Sequence, residues 1–188
     1  MARARFAALV AVLAVAIRAV VGHGLVNYDT LYAMVWGRDV AGGRLPDYGV
    51  AIAPTPHPLA TAASVLLAPV SNLDRGGVHG ELATQIVVGG AFVSLALLGW
   101  VVYRLGAAWF NRWAGGVAAA IVLTRVPVLD FGSRVYVDIP YLVLVLGALL
   151  VETRRPRAGA PVLGLLAVAG LLRPEAWLLS AAYVGWVW

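Results

Sequence analysis

Long apolar blocks separated by short polar breaks run the length of this chain. The blocks at residues 6–21, 82–103, 114–128, 139–151, 160–172 and 176–188 read as membrane-spanning helices, for which roughly 17–25 apolar residues is the expected unit. Pro140 and Pro174 fall where helices are predicted to begin, a place where the missing backbone N–H costs little. Residues 22–80 break this rhythm. Their first part is polar and aromatic, with Asn27, Tyr28, Asp29, Arg38, Asp39, Asp47 and Tyr48, and it is too long for a simple connection. Within it, Tyr32, Val35 and Trp36 recur at helical spacing. That predicts an amphipathic helix over 28–40, lying in the membrane interface where Trp and Tyr concentrate. The apolar run at 59–70 is too short to span and predicts a second interfacial or re-entrant helix. A polar turn at 71–77 comes after it.

The predicted fold class is all-α: a polytopic transmembrane helical bundle with two interfacial helices in the first outer loop, forming a single membrane module over 1–188. Arg3, Arg5 and Ala14-Val15-Ala16 around the first block also resemble a secretory signal peptide. The membrane-embedded character of the later blocks favours a spanning helix instead. The last block stops at Trp188 without a basic anchor, so the expectation is a fragment of a longer membrane protein.

Composition points the same way. Apolar residues make up 62% of the 188 and charged residues 12%, where soluble domains average roughly 45–50% and 25%. A soluble chain of this length has too little interior for so much apolar surface. There is no cysteine, which excludes disulfides, thiolate nucleophiles and Cys-ligated zinc. All 14 basic residues are arginine, so Schiff-base chemistry, P-loops and kinase sites lack their lysine. The net charge of +5 does not indicate nucleic acid, because the arginines are scattered between apolar blocks.

Charge placement sets an expected orientation. With the N-terminus in the cytoplasm, Arg3, Arg5, Arg104, Arg112, Arg154, Arg155 and Arg157 all fall on the cytoplasmic side, as the positive-inside rule requires. The outer side then receives Asp29, Asp39, Asp47, Asp74, Glu81, Asp130, Asp138 and Glu175, leaving only Glu152 opposite. No insertion rule demands that carboxylates segregate, so their gathering points to an outer face that carries chemistry or binds a polar ligand.

Three clusters stand out there. Asp29 opens the first interfacial helix; it reads as a helix N-cap, as a general base held at the membrane surface, or as both. Arg134 and Asp138 are four apart and, if helical, share a face. The pair is either a surface ion pair beside the helix start at Pro140 or a carboxylate next to a cation that holds a phosphate. Arg173-Pro174-Glu175 is a third cluster, serving either as cap and interfacial anchor or as part of a site. His57 stands in Pro54-Thr55-Pro56-His57-Pro58, whose prolines stiffen the backbone and fix where the imidazole points. His23, His57 and His79 are too dispersed for a zinc motif. Arg18 and Arg125 interrupt apolar runs near their outer ends, where a charge is either functional or snorkelling. Asp130-Phe131-Gly132 spells a kinase tripeptide without a kinase context. Gly89-Gly90 and Gly115-Gly116 are expected to mark close helix packing.

Taken in order, Asn27-Tyr28-Asp29 after the first membrane helix, Pro56-His57-Pro58-Leu59 opening a second interfacial helix, and Tyr136-Val137-Asp138-Ile139-Pro140 opening a later one resemble the GT-C superfamily of membrane glycosyltransferases. The resemblance is to the branch with protein O-mannosyltransferases and aminoarabinose transferases, and Leu172-Arg173-Pro174-Glu175 is similar to a motif in some relatives. It covers nearly the whole chain; Thr-Pro-His-Pro stands where Tyr-Pro-Pro is commoner. It implies a polyprenyl-phosphate sugar donor and an inverting transfer on the outer face, with Asp29 as catalytic base and Asp138 as second carboxylate, orienting the acceptor or a cation. It further implies Arg134 or Arg173 on the departing lipid phosphate, His57 and Tyr28 lining the pocket, and Glu175 among the binding residues. A divalent cation, Mg²⁺ or Mn²⁺, is compatible with carboxylate ligands, although no spacing demands one. The alternatives are a transporter or flippase-like protein and a non-catalytic membrane scaffold. Transporters place ionisable groups near the midplane; here the carboxylates sit at helix ends.

Overall fold

The computed structural model describes residues 1–71 and 81–187, leaving out the side chains of Ala2 and Glu81. The polar turn from 72 on, with Asp74 and His79, lies outside the described residues, as does the Glu81 side chain. Among the described residues the chain is helical, with no strand. The helices are α1 (Ala2–Val21), α2 (Tyr28–Ala41), α3 (Pro58–Ser71), α4 (Glu81–Trp109), α5 (Arg112–Leu123), α6 (Val126–Ser133), α7 (Asp138–Arg154), α8 (Ala160–Gly170) and α9 (Glu175–Val187).

Two helices, α1 and α4, are long and apolar enough to cross a membrane. A third candidate is the pair α5 and α6, bent by 64°. The block expected to be one helix over 114–128 is therefore broken at Thr124 and Arg125, where Pro127 can only stand in the first turn of a new helix. The remaining helices are shorter: α7 has 17 residues, α8 has 11 and α9 has 13, against roughly 20 for a perpendicular crossing.

The core reflects helical periodicity. Val10, Ala14 and Ile17 of α1 pack on Val88, Phe92 and Leu95 of α4, with Ile139 of α7 beside them; each set repeats at three or four residues, one face of a helix. α4 runs through the middle, against α1, α3, α5, α6 and α7, while α8 packs on α7 and α9 on α8. Gly115 lets α5 approach the backbone of α4 at Tyr103 and Ala107. Gly89, Gly90 and Gly116 have nothing within 4 Å of where a Cβ would stand, so those three do not mark close packing. Gly90 instead lines a cavity.

Helices α2 and α3 pair as a hairpin outside the bundle. Gly37 makes this possible, because a Cβ there would stand 2.7 Å from the Ser64 carbonyl carbon. Trp36 is 2% exposed and donates from Nε1 to the Asp47 carbonyl at 3.3 Å, which folds the 42–57 connection back over α2. Tyr28, Tyr32, Trp36 and Tyr48 stand one after another in ring contact, with centroids 4.8–5.3 Å apart.

The bundle has two chemically distinct ends. Helices α4 and α7 finish, and α1 and α5 begin, at the end that carries Arg3, Arg5, Arg104, Arg112, Arg154, Arg155 and Arg157. The opposite end gathers the C-terminus of α1, the starts of α7 and α9, and the α2–α3 hairpin.

Candidate functional site

The site is assembled where α7 begins, α8 gives way to α9, and α3 opens. Asp138 is the first residue of α7. Arg173, in the turn before α9, donates from Nη1 to Asp138 Oδ1 and from Nη2 to Glu175 Oε1 at 3.0 Å. Its guanidinium also lies 5.9 Å from the ring centre of Tyr141, one turn into α7. His57 joins them from the position just before α3: its Nδ1 donates to the Leu172 carbonyl at 2.6 Å, and Leu59 N donates to the Leu171 carbonyl at 3.0 Å. Rigid presentation by the flanking prolines is thus used to clasp the α8–α9 turn. Hydrogen bonds from Arg173 hold the Glu175 carboxyl below the ordinary carboxylate range, with its own backbone N–H and nearby His57 reinforcing them. Glu175 in turn keeps the Arg173 guanidinium firmly protonated, against burial and with help from Asp138.

A second arm of the site comes from α2 and the turn between α6 and α7. Leu25 N donates to the Ser133 carbonyl at 2.9 Å and Asn27 N to the Arg134 carbonyl at 3.1 Å. Thr30, buried, donates from Oγ1 to the Val135 carbonyl at 2.8 Å. Asp29 and Asp138 accordingly sit at the same end of the bundle. The helix cap is not Asp29, however: Asn27 Oδ1 accepts from Thr30 N at 2.7 Å, which places Asp29 inside the first turn. Asn27 Nδ2 is buried with no partner among the described residues. Asp29 is half-buried and makes no hydrogen bond or ion pair to another described residue.

One expectation is corrected here. Arg134 does not share a helix face with Asp138. Val135 adopts φ 59°, a conformation that ends α6 and is strained for a β-branched residue, and Arg134 Nε pairs at 2.7 Å with Asp130. The Asp-Phe-Gly tripeptide therefore supplies a partner that the i, i+4 spacing of Asp130 and Arg134 already contained. Tyr28 donates to the Ile52 carbonyl at 2.7 Å; its phenol is pushed up to about 12, first by hydrogen bonding with Tyr32, then by burial and neighbouring charge, so it serves as a neutral donor. Arg125 stands at the α5–α6 bend, exposed, with Nε donating to the Ile121 carbonyl at 3.4 Å, and Arg18 is exposed in the last turn of α1.

Between the two arms opens an apolar cavity of about 520 Å³, walled by α3, α4 and α7. Leu59, Ala63, Gly90, Ser94, Pro140 and Val143 line it, and Thr30, Val135 and Leu172 also contribute to its wall. A larger cavity of about 610 Å³ lies between the far ends of α2 and α3, but its Arg44 and Asp39 already pair with each other at 2.7 Å. Among the described residues no group of three His, Asp or Glu side chains is placed to hold a metal ion. The cation between Asp138 and Glu175 is the Arg173 guanidinium itself, so this donor set does not fit a divalent ion. Sequence reasoning missed Tyr141, Thr30 and the Leu172 carbonyl, none of which carries a signal beyond its neighbours in the chain. No family model, curated protein or solved structure matches the chain.

Proposed function

We propose that the chain is the membrane module of a GT-C-type glycosyltransferase that moves a sugar from a polyprenyl-phosphate donor to an acceptor hydroxyl on the outer face. The observation that carries this reading is the adjacency of a charged cluster, Asp138, Arg173 and Glu175, to an apolar cavity whose wall includes Val137 and Leu172, the residues that precede Asp138 and Arg173 in the chain. A lipid-linked sugar has the same division, a hydrocarbon chain ending in a phosphate and a polar ring. In this scheme the chain lies along α3, α4 and α7, and the phosphate meets the turn that carries Arg134. Arg134 uses only Nε on Asp130, leaving its terminal N–H groups for a phosphate oxygen, the pairing arginine makes best. Arg173 is instead committed to two carboxylates and positions them.

Asp29 takes the proton of the acceptor hydroxyl. The acceptor oxygen bonds to the anomeric carbon from the face opposite the phosphate, and the carbon–oxygen bond to phosphate breaks. The electron pair leaves on the lipid phosphate, which Arg134 stabilises, and the anomeric configuration inverts. Asp138 and Glu175 orient hydroxyls of the acceptor or the sugar. Placement of the charged groups at helix ends argues against a transporter, whose ionisable groups belong near the midplane. The test is sugar transfer by the full-length protein in proteoliposomes. Asp29→Asn is expected to lower turnover by about 10²–10⁴-fold, the usual worth of a general base, with helicity unchanged. Unaltered turnover overturns the assignment.

A further inference from the structure

The arginine-rich end holds a second cavity pair that the proposed reaction does not use. One cavity, of about 440 Å³, is lined by Leu9, Trp100, Tyr103, Arg104, Arg112 and Arg154. The other, of about 240 Å³, is apolar and lies between α1, α4 and α5, lined by residues such as Val10, Leu13, Ala96 and Leu123. The two share Leu9, Trp100 and Tyr103, so the apolar trough leads directly out of the arginine-lined one.

The simplest account of arginines at this end is anchoring to a membrane surface. Anchors are served by spreading into water, and these converge. Arg104 folds over the Trp100 ring, 5.1 Å from its centroid, and stands close enough to Arg154 for the two charges to repel. None of Arg104, Arg112 and Arg154 pairs with a described carboxylate. The one acid nearby among the described residues, Glu152, is engaged by Tyr183 Oη at 2.7 Å and by the backbone N–H of Arg157 at 2.6 Å. Three like charges around one hollow are unfavourable unless an anion sits among them.

We infer that this end binds an anionic phospholipid, its phosphate between Arg104, Arg112 and Arg154 and one acyl chain in the trough between α1, α4 and α5. The shape of the paired cavities and the unmatched charge select that occupant. Basic pockets between membrane helices on the cytoplasmic side suit such headgroups, and the positive-inside rule assigns this end to the cytoplasm. The site is independent of the glycosyltransferase reading and stands or falls separately.

The experiment is native mass spectrometry of the full-length protein in detergent, titrated with phosphatidylglycerol, phosphatidylcholine or inorganic phosphate. Wild type retains phosphatidylglycerol in preference to phosphatidylcholine. The triple variant Arg104→Gln, Arg112→Gln, Arg154→Gln loses the preference, with affinity falling on the order of a hundredfold for three arginines. Arg125→Gln, at the α5–α6 bend, leaves it unchanged. Equal retention of the two lipids by wild type overturns the proposal. So does displacement of the lipid by inorganic phosphate at equal concentration, which marks a phosphate site without a lipid trough.

Discussion

Arg173 reaches back 35 residues to Asp138, joining the turn before α9 to the first turn of α7. The same guanidinium holds Glu175 at 3.0 Å, so one cation organises two carboxylates from different helices. The Asp138 side chain is 23% exposed and that of Arg173 36%, between the surface case, worth about 0–1 kcal/mol, and a well-made charge-assisted bond, worth about 1.5–3 kcal/mol. Arg173→Gln is therefore expected to cost about 1–2 kcal/mol in detergent unfolding. A double-mutant cycle with Asp138→Asn checks whether that cost belongs to the pair; additive effects contradict the coupling.

Glu175 contributes to the acid side of the stability profile, as does Glu152, whose carboxyl is held below its ordinary range first by the Arg157 backbone N–H and then by Tyr183. The folded Glu175 carboxyl titrates below the ordinary value of 4.5, so the protein binds fewer protons there than the unfolded chain does. The stabilisation is complete above 4.5 and disappears as pH falls through the lower folded value. The stability difference between wild type and Glu175→Gln should hold steady from neutral pH down to that range and then shrink. A difference that widens toward acid contradicts the sign.

Much of this arrangement is legible in the sequence, and the misses have a common cause. The apolar blocks give the helices, the aromatic periodicity gives α2, and the prolines around His57 give the start of α3. The expected Arg134–Asp138 pair fails because nothing in Ser133-Arg134-Val135-Tyr136 announces a turn. Val is a residue that avoids positive φ, and only tertiary contacts such as the Thr30 bond hold it there. The break at Thr124 and Arg125 is encoded by Pro127 but hidden by apolar residues on both sides. Contacts between distant segments, such as His57 with Leu172, leave no mark in local pattern.

Thr30 is the residue that fixes α2 to that strained turn. Thr30→Val keeps shape and removes the hydroxyl, with an expected cost of about 1 kcal/mol. Because the Val135 carbonyl adjoins Arg134, transfer should fall further than stability alone explains, and Thr30→Ser should restore both. Wild-type turnover in Thr30→Val contradicts the role.

Gly37 sets the separation of the α2–α3 hairpin. A side chain there meets Ser64 backbone atoms, which cannot swing aside. Gly37→Val is expected to cost about 1–3 kcal/mol, the usual penalty of overpacking. Unchanged thermal unfolding contradicts the close approach.

The central claim, that a lipid-linked sugar lies between α3, α4 and α7 with its phosphate at the α6–α7 turn, is tested most directly by photo-crosslinking. A polyprenyl phosphate carrying a diazirine on its chain should label peptides covering residues 59–67 and 140–144, and excess unmodified polyprenyl phosphate should abolish the label. Labelling that avoids those peptides, or that resists competition, contradicts it.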